Sequence, residues 1–198
     1  MLLRPTVFIA TLAAMATFGI AGCSSKSASS LVRHALPDVL HSSDSAEMDA
    51  GFIDAAFKAI DAKVGVPDYG VIRVSVHPSM VAMQVVDPNN PSNVDEYDYR
   101  RGKGAVDAPI PVDLTGSEPG ALEQNTISRV DLNPNVIAKA IQEAPGQSGI
   151  EQATASGATI SYPLVAVEGA PPRIQVEVTG PRGHANPRYS LQGEKLEQ

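Results

Sequence analysis

The sequence predicts an α+β fold made of two α-β-β-β units, with antiparallel sheet structure and one helix packed on each unit. Three observations lead to this fold class. An apolar stripe with helical spacing is followed by stretches of alternating apolar and polar residues, and this succession occurs twice. The composition, with 43% hydrophobic and 19% charged residues, is that of a chain that folds around a core. The length of 198 residues leaves room for two small units that share that core.

The first unit is predicted over residues 44–104. Asp44, followed three residues later by Glu47, has the pattern of a capping box, so we expect a helix of about four turns to begin there. Gly65 and Pro67 are expected to end it. Its apolar stripe consists of Met48, Phe52, Ile53, Ala56, Phe57 and Ile60.

Three strands are expected after this helix. Residues 72–77 alternate between apolar and polar side chains, which is typical of a half-buried strand. Residues 80–86 form a second, more apolar strand. A third strand over residues 95–100 places Tyr97 and Tyr99 on the same face.

The second unit is predicted over residues 133–198, after a Pro- and Gly-rich extended connection over residues 105–132. Asn133 is the expected N-cap of its helix and Pro134 the first helical residue. A Pro-Gly pair at 145–146 is expected to end the helix. Its apolar stripe consists of Val136, Ile137, Ala140, Ile141 and Ala144.

Strands are expected over residues 159–167, 173–179 and 188–192 of this second unit. The third strands of both units carry tyrosine and are followed by Gly and Lys: Tyr97 and Tyr99 precede Gly102-Lys103, and Tyr189 precedes Gly193 and Lys195. This order of elements resembles PepSY-type and β-lactamase-inhibitor-type envelope proteins, which build binding surfaces from α-β-β-β units. The resemblance implies a binding role and assigns no functional residue.

The N-terminal residues 1–22 have the pattern of a signal peptide. Arg4 supplies the basic region, and the apolar run over residues 7–20 has about 14 residues, too few to span a bilayer as a helix. The run ends in Ile20-Ala21-Gly22-Cys23, and this leader resembles that of bacterial lipoprotein precursors. An ordinary secretory signal followed by an unrelated cysteine is the alternative interpretation.

The lipoprotein resemblance implies that the leader is removed and that Cys23 becomes the acylated first residue of the mature chain. Lipid chains of this kind anchor a protein at a membrane surface, because each buried CH₂ group contributes about 0.8 kcal/mol. Residues 23–43 are expected to form the acylated cysteine, a flexible tether and a lead-in. In the lipoproteins that this leader resembles, Asp after the cysteine signals retention in the inner membrane. Ser24 at that position therefore implies an outer-membrane location facing the periplasm.

Composition and motifs exclude several classes of function. The formal net charge of −7 makes the chain a poor binder of nucleic acid, since that affinity comes mainly from basic residues. A single cysteine excludes an internal disulfide and a cysteine-cluster metal site. The sequence contains no phosphate-binding, dinucleotide-binding or nucleophile-elbow motif, and the spacing of its four histidines matches no metal-binding helix. We therefore predict no catalytic, metal or cofactor-binding residue and no cofactor.

One group of side chains is a candidate contact patch. Tyr97, Tyr99, Arg100 and Arg101 lie together in the sequence, and tyrosine and arginine are enriched where proteins contact one another. The alternative is that this charged segment is a solvated edge strand whose charges prevent pairing with another chain.

The predicted function is that of a membrane-anchored, non-enzymatic module of the bacterial envelope. It either binds an envelope protein or supports the envelope structurally. The alternative is a small envelope hydrolase or metal-dependent enzyme whose site is assembled from residues far apart in the sequence.

Overall fold

The computed structural model describes residues 43–117, 120–163 and 170–197. The predicted signal peptide, the acylated Cys23 and nearly all of the tether lie outside these residues. The α-helices are α1 (Ser43–Glu47), α2 (Ala50–Val64), α3 (Ala121–Gln124) and α4 (Pro134–Gln147), with a 3₁₀ turn at Arg129–Asp131. The strands are β1 (Gly70–His77), β2 (Met80–Val86), β3 (Val94–Arg100), β4 (Ile110–Pro111), β5 (Ile127–Ser128), β6 (Thr154–Ser161), β7 (Arg173–Gly180), β8 (Gly183–Ala185), β9 (Arg188–Ser190) and β10 (Lys195–Leu196). None of the helices described is long and apolar enough to cross a membrane.

Helix α2 begins later than the capping-box pattern predicts. Its N-cap is Asp49, whose carboxylate accepts a hydrogen bond from the backbone N–H of Phe52 at 2.8 Å. The prediction of Asp44 as the cap is wrong, because residues 43–47 form the separate helix α1 and the chain turns at the buried Met48. Gly65 ends α2 in a left-handed conformation with φ of 80°, as the sequence predicts.

Helix α4 begins where the sequence predicts and ends later. The side chain of Asn133 accepts a hydrogen bond from the N–H of Asn135 at 2.9 Å, and Pro134 occupies the first turn. The expected stop at Pro145 is wrong, since the helix continues to Gln147. Proline has a helical φ, and because only two helical residues follow Pro145, the hydrogen bond that it removes lies in the last turn.

Strand β6 is the element that the sequence locates least well. Strand β6 runs from Thr154 to Ser161, so the predicted strand over residues 159–167 overlaps it only at residues 159–161. Residues 164–169 of the prediction lie outside the described part. Small residues such as Ala155, Gly157 and Ala158 form its buried positions, so its alternation is hard to recognise. By contrast, β2 has the predicted bounds.

The ten strands form a single sheet in the order β10-β9-β7-β6-β1-β2-β3-β4, and β5 pairs with β1 while β8 pairs with β7. Every strand pairing is antiparallel, and β1 and β6 lie side by side at the centre. The mixed α+β class with antiparallel sheet structure is therefore confirmed.

Helices α2 and α4 cover one face of this sheet. They pack against each other, α2 also contacts β2 and β3, and α4 contacts β6 and β7. Because successive side chains of a strand point to opposite faces, alternate residues form the core against these helices. The buried strand residues include Val74, Val76, Met83, Ile160, Ile174 and Val176.

The opposite surface of the sheet, which we call the polar face, carries hydrophilic side chains. Its membership follows from the strand register, since residues directly opposite each other in an antiparallel pair point to the same side. The central part of the polar face consists of Arg73, Ser75, Gln84, Glu96, Asp98, Thr159, Ser161, Arg173, Gln175 and Arg188.

Candidate functional site

Two arginines of the polar face flank a serine in one row across three strands. Arg73 of β1 lies opposite Ser161 of β6, and Ser161 lies opposite Arg173 of β7. Neighbouring strands are about 4.8 Å apart, so the backbones of the two arginines are separated by about 10 Å. Both arginine side chains project from the polar face, and the small hydroxyl of Ser161 lies between them.

A third arginine lies next to this row. Arg188 of β9 is opposite Gln175, which is two residues from Arg173 on β7. Arg173 and Arg188 are therefore diagonal neighbours, a relation that places residues about 7–8 Å apart. We call Arg73, Arg173 and Arg188 the arginine cluster.

The arginine cluster is partly buried and is not neutralised by the described residues. All three side chains are of intermediate exposure, and none is within ion-pair distance of a carboxylate in the described part of the chain. Burial, together with the positive charge of Arg188, lowers the pKa of the Arg173 guanidinium. The Nε atom of Arg188 is buried and has no hydrogen-bond partner there. The partial burial of these unpaired charges therefore lowers the stability of the fold, and the guanidinium groups can pair with an anion.

An open groove of about 430 Å³ adjoins the cluster. Arg73 of the cluster and the neighbouring Ser161 line this groove, whose walls are otherwise mainly apolar. The apolar lining consists mainly of Ile72, Leu114, Leu122 and Tyr162. One side of the groove is thus the end of the sheet, and the other is the connection that includes α3.

A β-bulge in β1 shapes the sheet side of this groove. The pairing of β1 with β2 shifts between Val71 and Arg73, which leaves Ile72 without a direct partner. Bulges of this kind redirect side chains, and here Ile72 and Arg73, which are consecutive, both line the groove. A cation and an apolar surface are therefore placed side by side.

The β3 end of the polar face is acidic. Asp98 is only 8% exposed; its Oδ2 accepts a hydrogen bond from Arg100 Nη2 at 3.0 Å, while its buried Oδ1 has no partner among the described residues. Nearby, Glu96 accepts a hydrogen bond from the Gln84 amide at 2.9 Å. The polar face consequently carries positive charge on one half and negative charge on the other.

The residues of the predicted contact patch lie on different faces of β3. Tyr97 and Tyr99 share a face, as the sequence predicts, but it is the helix-covered face, where both pack against the core. Arg100 points to the polar face beside Asp98. The structure therefore separates Arg100 from the two tyrosines. Burial, with the charges of Asp95 and Asp87, raises the pKa of Tyr97.

Arg101 of that patch joins two parts of the fold. Its guanidinium lies 3.9 Å from the ring centroid of Phe52, and the Phe52 ring lies 5.9 Å from that of Tyr99. The same side chain donates a hydrogen bond to the Pro78 carbonyl at 2.8 Å and another to the Glu47 carbonyl. These contacts connect the end of β3 to α1 and α2.

A fourth arginine environment was not predicted from the sequence. Arg129 forms a two-pronged ion pair with Asp61, both distances being 2.9 Å, and lies 4.5 Å from the ring centroid of Phe57. The hydroxyl of Tyr69 donates to the same carboxylate at 2.7 Å. Burial and this carboxylate together raise the pKa of Tyr69. The network ties the connection to α2.

The described residues contain no cluster of three or more His, Cys, Asp or Glu side chains that could hold a metal ion. The ring of His77 packs over Gly157, where an added Cβ would lie 3.0 Å from its Nδ1. His184 is exposed on β8, and His34 and His41 lie outside the described residues.

The local sequence does not predict the arginine cluster. Arg73 and Arg173 are recognisable as polar residues that alternate with apolar ones in two predicted strands. The sequence does not indicate that the two strands lie on either side of a single strand, β6. A search for alternating strands that each contribute one arginine to the polar side would have found the candidates.

Comparison with known proteins finds no family model, no curated protein and no solved structure that matches this chain.

Proposed function

We propose that this protein is a lipid-anchored lipoprotein of the bacterial envelope and that its folded body is a non-enzymatic protein-binding module. The anchor is proposed from the leader, in which the only cysteine of the chain follows Ile20-Ala21-Gly22 at the end of an apolar run. Removal of the leader takes Arg4 with it, so the mature chain has a formal net charge of −8. Ser24 supports an outer-membrane location facing the periplasm.

The body is further proposed to consist of two α-β-β-β units that share one sheet. Starting from the central pair, β1, β2 and β3 follow one another towards one edge, and β6, β7 and β9 towards the other. Each set of strands is preceded in the sequence by one long helix, α2 or α4. This arrangement supports an approximate two-fold relation between the units and the resemblance to envelope proteins that bind through such units.

The single observation that supports a binding role best is the arginine cluster beside the apolar groove. Three arginines that are partly buried and lack a carboxylate partner in the described part lower the stability of the chain on their own. Arginine is the side chain best suited to two-pronged recognition of carboxylates, and it is enriched at contact sites. A surface of this kind is stabilised when an anionic partner covers it.

The anchor is tested with Cys23→Ser in the full chain. We expect the variant to retain its leader and to lose acylation, because the sulfur that carries the lipid is absent. Membrane fractionation and intact-mass measurement of the purified protein check this result. A variant that is processed and attached to membranes like the wild type would refute the lipoprotein assignment.

The binding role is tested with a photo-crosslinking residue at Ser75, in the middle of the polar face, in bacteria that express the full chain. We expect a discrete adduct with one envelope protein. The matched control carries the same residue at Lys58, which is exposed on α2, and should give no such adduct. Equal adduct patterns from both positions, or none from Ser75, would contradict the proposal.

A further inference from the structure

We infer that the arginine cluster and the adjoining groove bind an extended polypeptide segment rich in acidic side chains, an inference that rests on the protein-binding function proposed above. The charge of the site indicates an anionic occupant, because three arginines lie together on a chain whose formal net charge is −7. Long-range attraction to the whole protein therefore does not explain binding of an acidic segment, and the local cluster must supply it.

The degree of burial strengthens this local attraction. Arg73, Arg173 and Arg188 are each partly withdrawn from water, and charge interactions are stronger where solvent screening is reduced. A guanidinium that meets a carboxylate donates two parallel hydrogen bonds, which neutral partners cannot match. The Nε of Arg188 is buried and has no partner among the described residues, so no internal hydrogen bond at that atom holds the guanidinium in place.

The spacing of the cluster fits an extended chain. An extended segment rises about 3.4 Å per residue, so carboxylates on alternate residues are about 7 Å apart. This matches the diagonal separation of Arg173 and Arg188, which is about 7–8 Å.

The groove beside the arginine cluster favours a bound segment that also carries an apolar side chain. It begins at Arg73, and its walls include Ile72, Leu114 and Leu122, so a segment bound across the cluster continues into an apolar channel. One aliphatic side chain that follows the acidic residues would bury apolar surface there, at about 25 cal/mol per Å². The site therefore favours an acidic run that ends in an apolar residue.

The same face argues for a polypeptide rather than a lipid headgroup surface. Glu96 and Asp98 lie on the β3 half of the polar face, and Glu177 lies on β7 beyond the cluster. A uniformly anionic membrane would be repelled by these carboxylates and by the net charge of the chain. A polypeptide can present acidic side chains to the arginines and other side chains to the carboxylates.

The probe is a fluorescein-labelled peptide in which Glu alternates with Thr and a Leu follows the acidic run. Purified full chain in a neutral detergent is titrated into it, and fluorescence anisotropy measures binding. We expect binding that weakens as salt is added, because the partly exposed charges become screened. The matched peptide with every Glu replaced by Gln should bind at least tenfold more weakly, about 1.4 kcal/mol.

Two variants locate the site. Arg173→Gln removes the central cation and should weaken binding about tenfold or more, as expected for the loss of charged hydrogen bonds. Ser161→Glu retains all three arginines and places a carboxylate between Arg73 and Arg173, so it should weaken binding by occupying the cluster. The control Arg182→Gln removes an equal charge from an exposed position in the β7–β8 turn and should bind like the wild type.

The outcomes separate this inference from the proposed function. Equal binding of the Glu and Gln peptides, or equal losses in Arg173→Gln and Arg182→Gln, would overturn the inference. Displacement of the peptide by inorganic phosphate or glycerol phosphate at low concentration would identify a phosphate site instead. If the acidic peptide fails while a Ser75 adduct persists, a protein partner of other chemistry occupies the face; if the adduct is also absent, the proposed function fails too.

Discussion

The two faces of the sheet in this protein are built on opposite principles. On the helix-covered face, Val74 and Ile160 lie opposite each other and are fully buried beneath the helices. One residue along each strand, Ser75 and Thr159 form the corresponding pair on the polar face and remain partly exposed. The first face stabilises the fold by removing apolar surface from water. The second contributes little to stability and carries the groups that another molecule can recognise.

The arginines repeat this contrast within a single residue type. Arg129 has its charge, its hydrogen-bonding capacity and its flat surface satisfied by Asp61, the Leu132 carbonyl and Phe57. Arg188 lies near Arg173, a like charge, and has a buried Nε with no partner in the described part. An arginine whose partners are all internal is structural. Arginines that lack internal partners are better explained by an external one.

Adjacent residues of β6 provide the strongest test of the difference between the faces. Ile160→Asp places a carboxylate in the core, where its charge has no partner, and should lower the free energy of unfolding by about 4 kcal/mol or more. Thr159→Asp introduces the same side chain one residue away, near the arginine cluster, and should change it by less than about 1 kcal/mol. Urea denaturation followed by circular dichroism measures both values.

The two variants can be compared directly because they introduce the same carboxylate at adjacent residues of one strand and differ only in the face of the sheet that receives it. If Thr159→Asp destabilised the protein as much as Ile160→Asp, the polar face would be part of a packed interior. The comparison of the two faces would then be wrong, and so would the assignment of the cluster as a binding surface.

Much of the fold could be predicted from local sequence. The residues of the two predicted apolar stripes are buried, Val136 only partly and Met48 just before α2, because a helix buries residues three and four apart whatever it packs against. The sequence alone does not locate the cap of α2, because both Asp44 and Asp49 precede apolar residues and only the path of the chain at Met48 decides between them. Strand β6 was located poorly because small residues satisfy a buried position without the apolar signal.

The candidate site could not be predicted from local sequence, because none of its relationships is local. Arg73 and Arg173 are 100 positions apart and are brought together only by the pairing of β1 and β7 with β6. Asp61 and Arg129 likewise meet across 68 positions. The four residues of the predicted contact patch do not share one face for the complementary reason: consecutive residues of a strand, such as Tyr99 and Arg100, point to opposite faces.

The same substitution at two arginines tests the second contrast, with smaller expected effects. Arg129→Met keeps a long side chain over Phe57 but leaves Asp61 with only the Tyr69 hydroxyl as a donor, and should lower the free energy of unfolding by about 2 kcal/mol. Arg188→Met removes a charge near Arg173 and a buried unpaired donor, and should raise it by up to about 1 kcal/mol. Thermal and urea denaturation of both variants give the two signs.

A gain in stability at Arg188 has a specific meaning for function. Structural residues are destabilising to replace, whereas residues retained for binding often lower the stability of the free protein. If Arg188→Met lowered stability like Arg129→Met, Arg188 would have an internal structural role and the cluster would lose one of its three members. If stability rises and binding of the acidic peptide falls in the same variant, the arginine is retained for recognition at the expense of the fold.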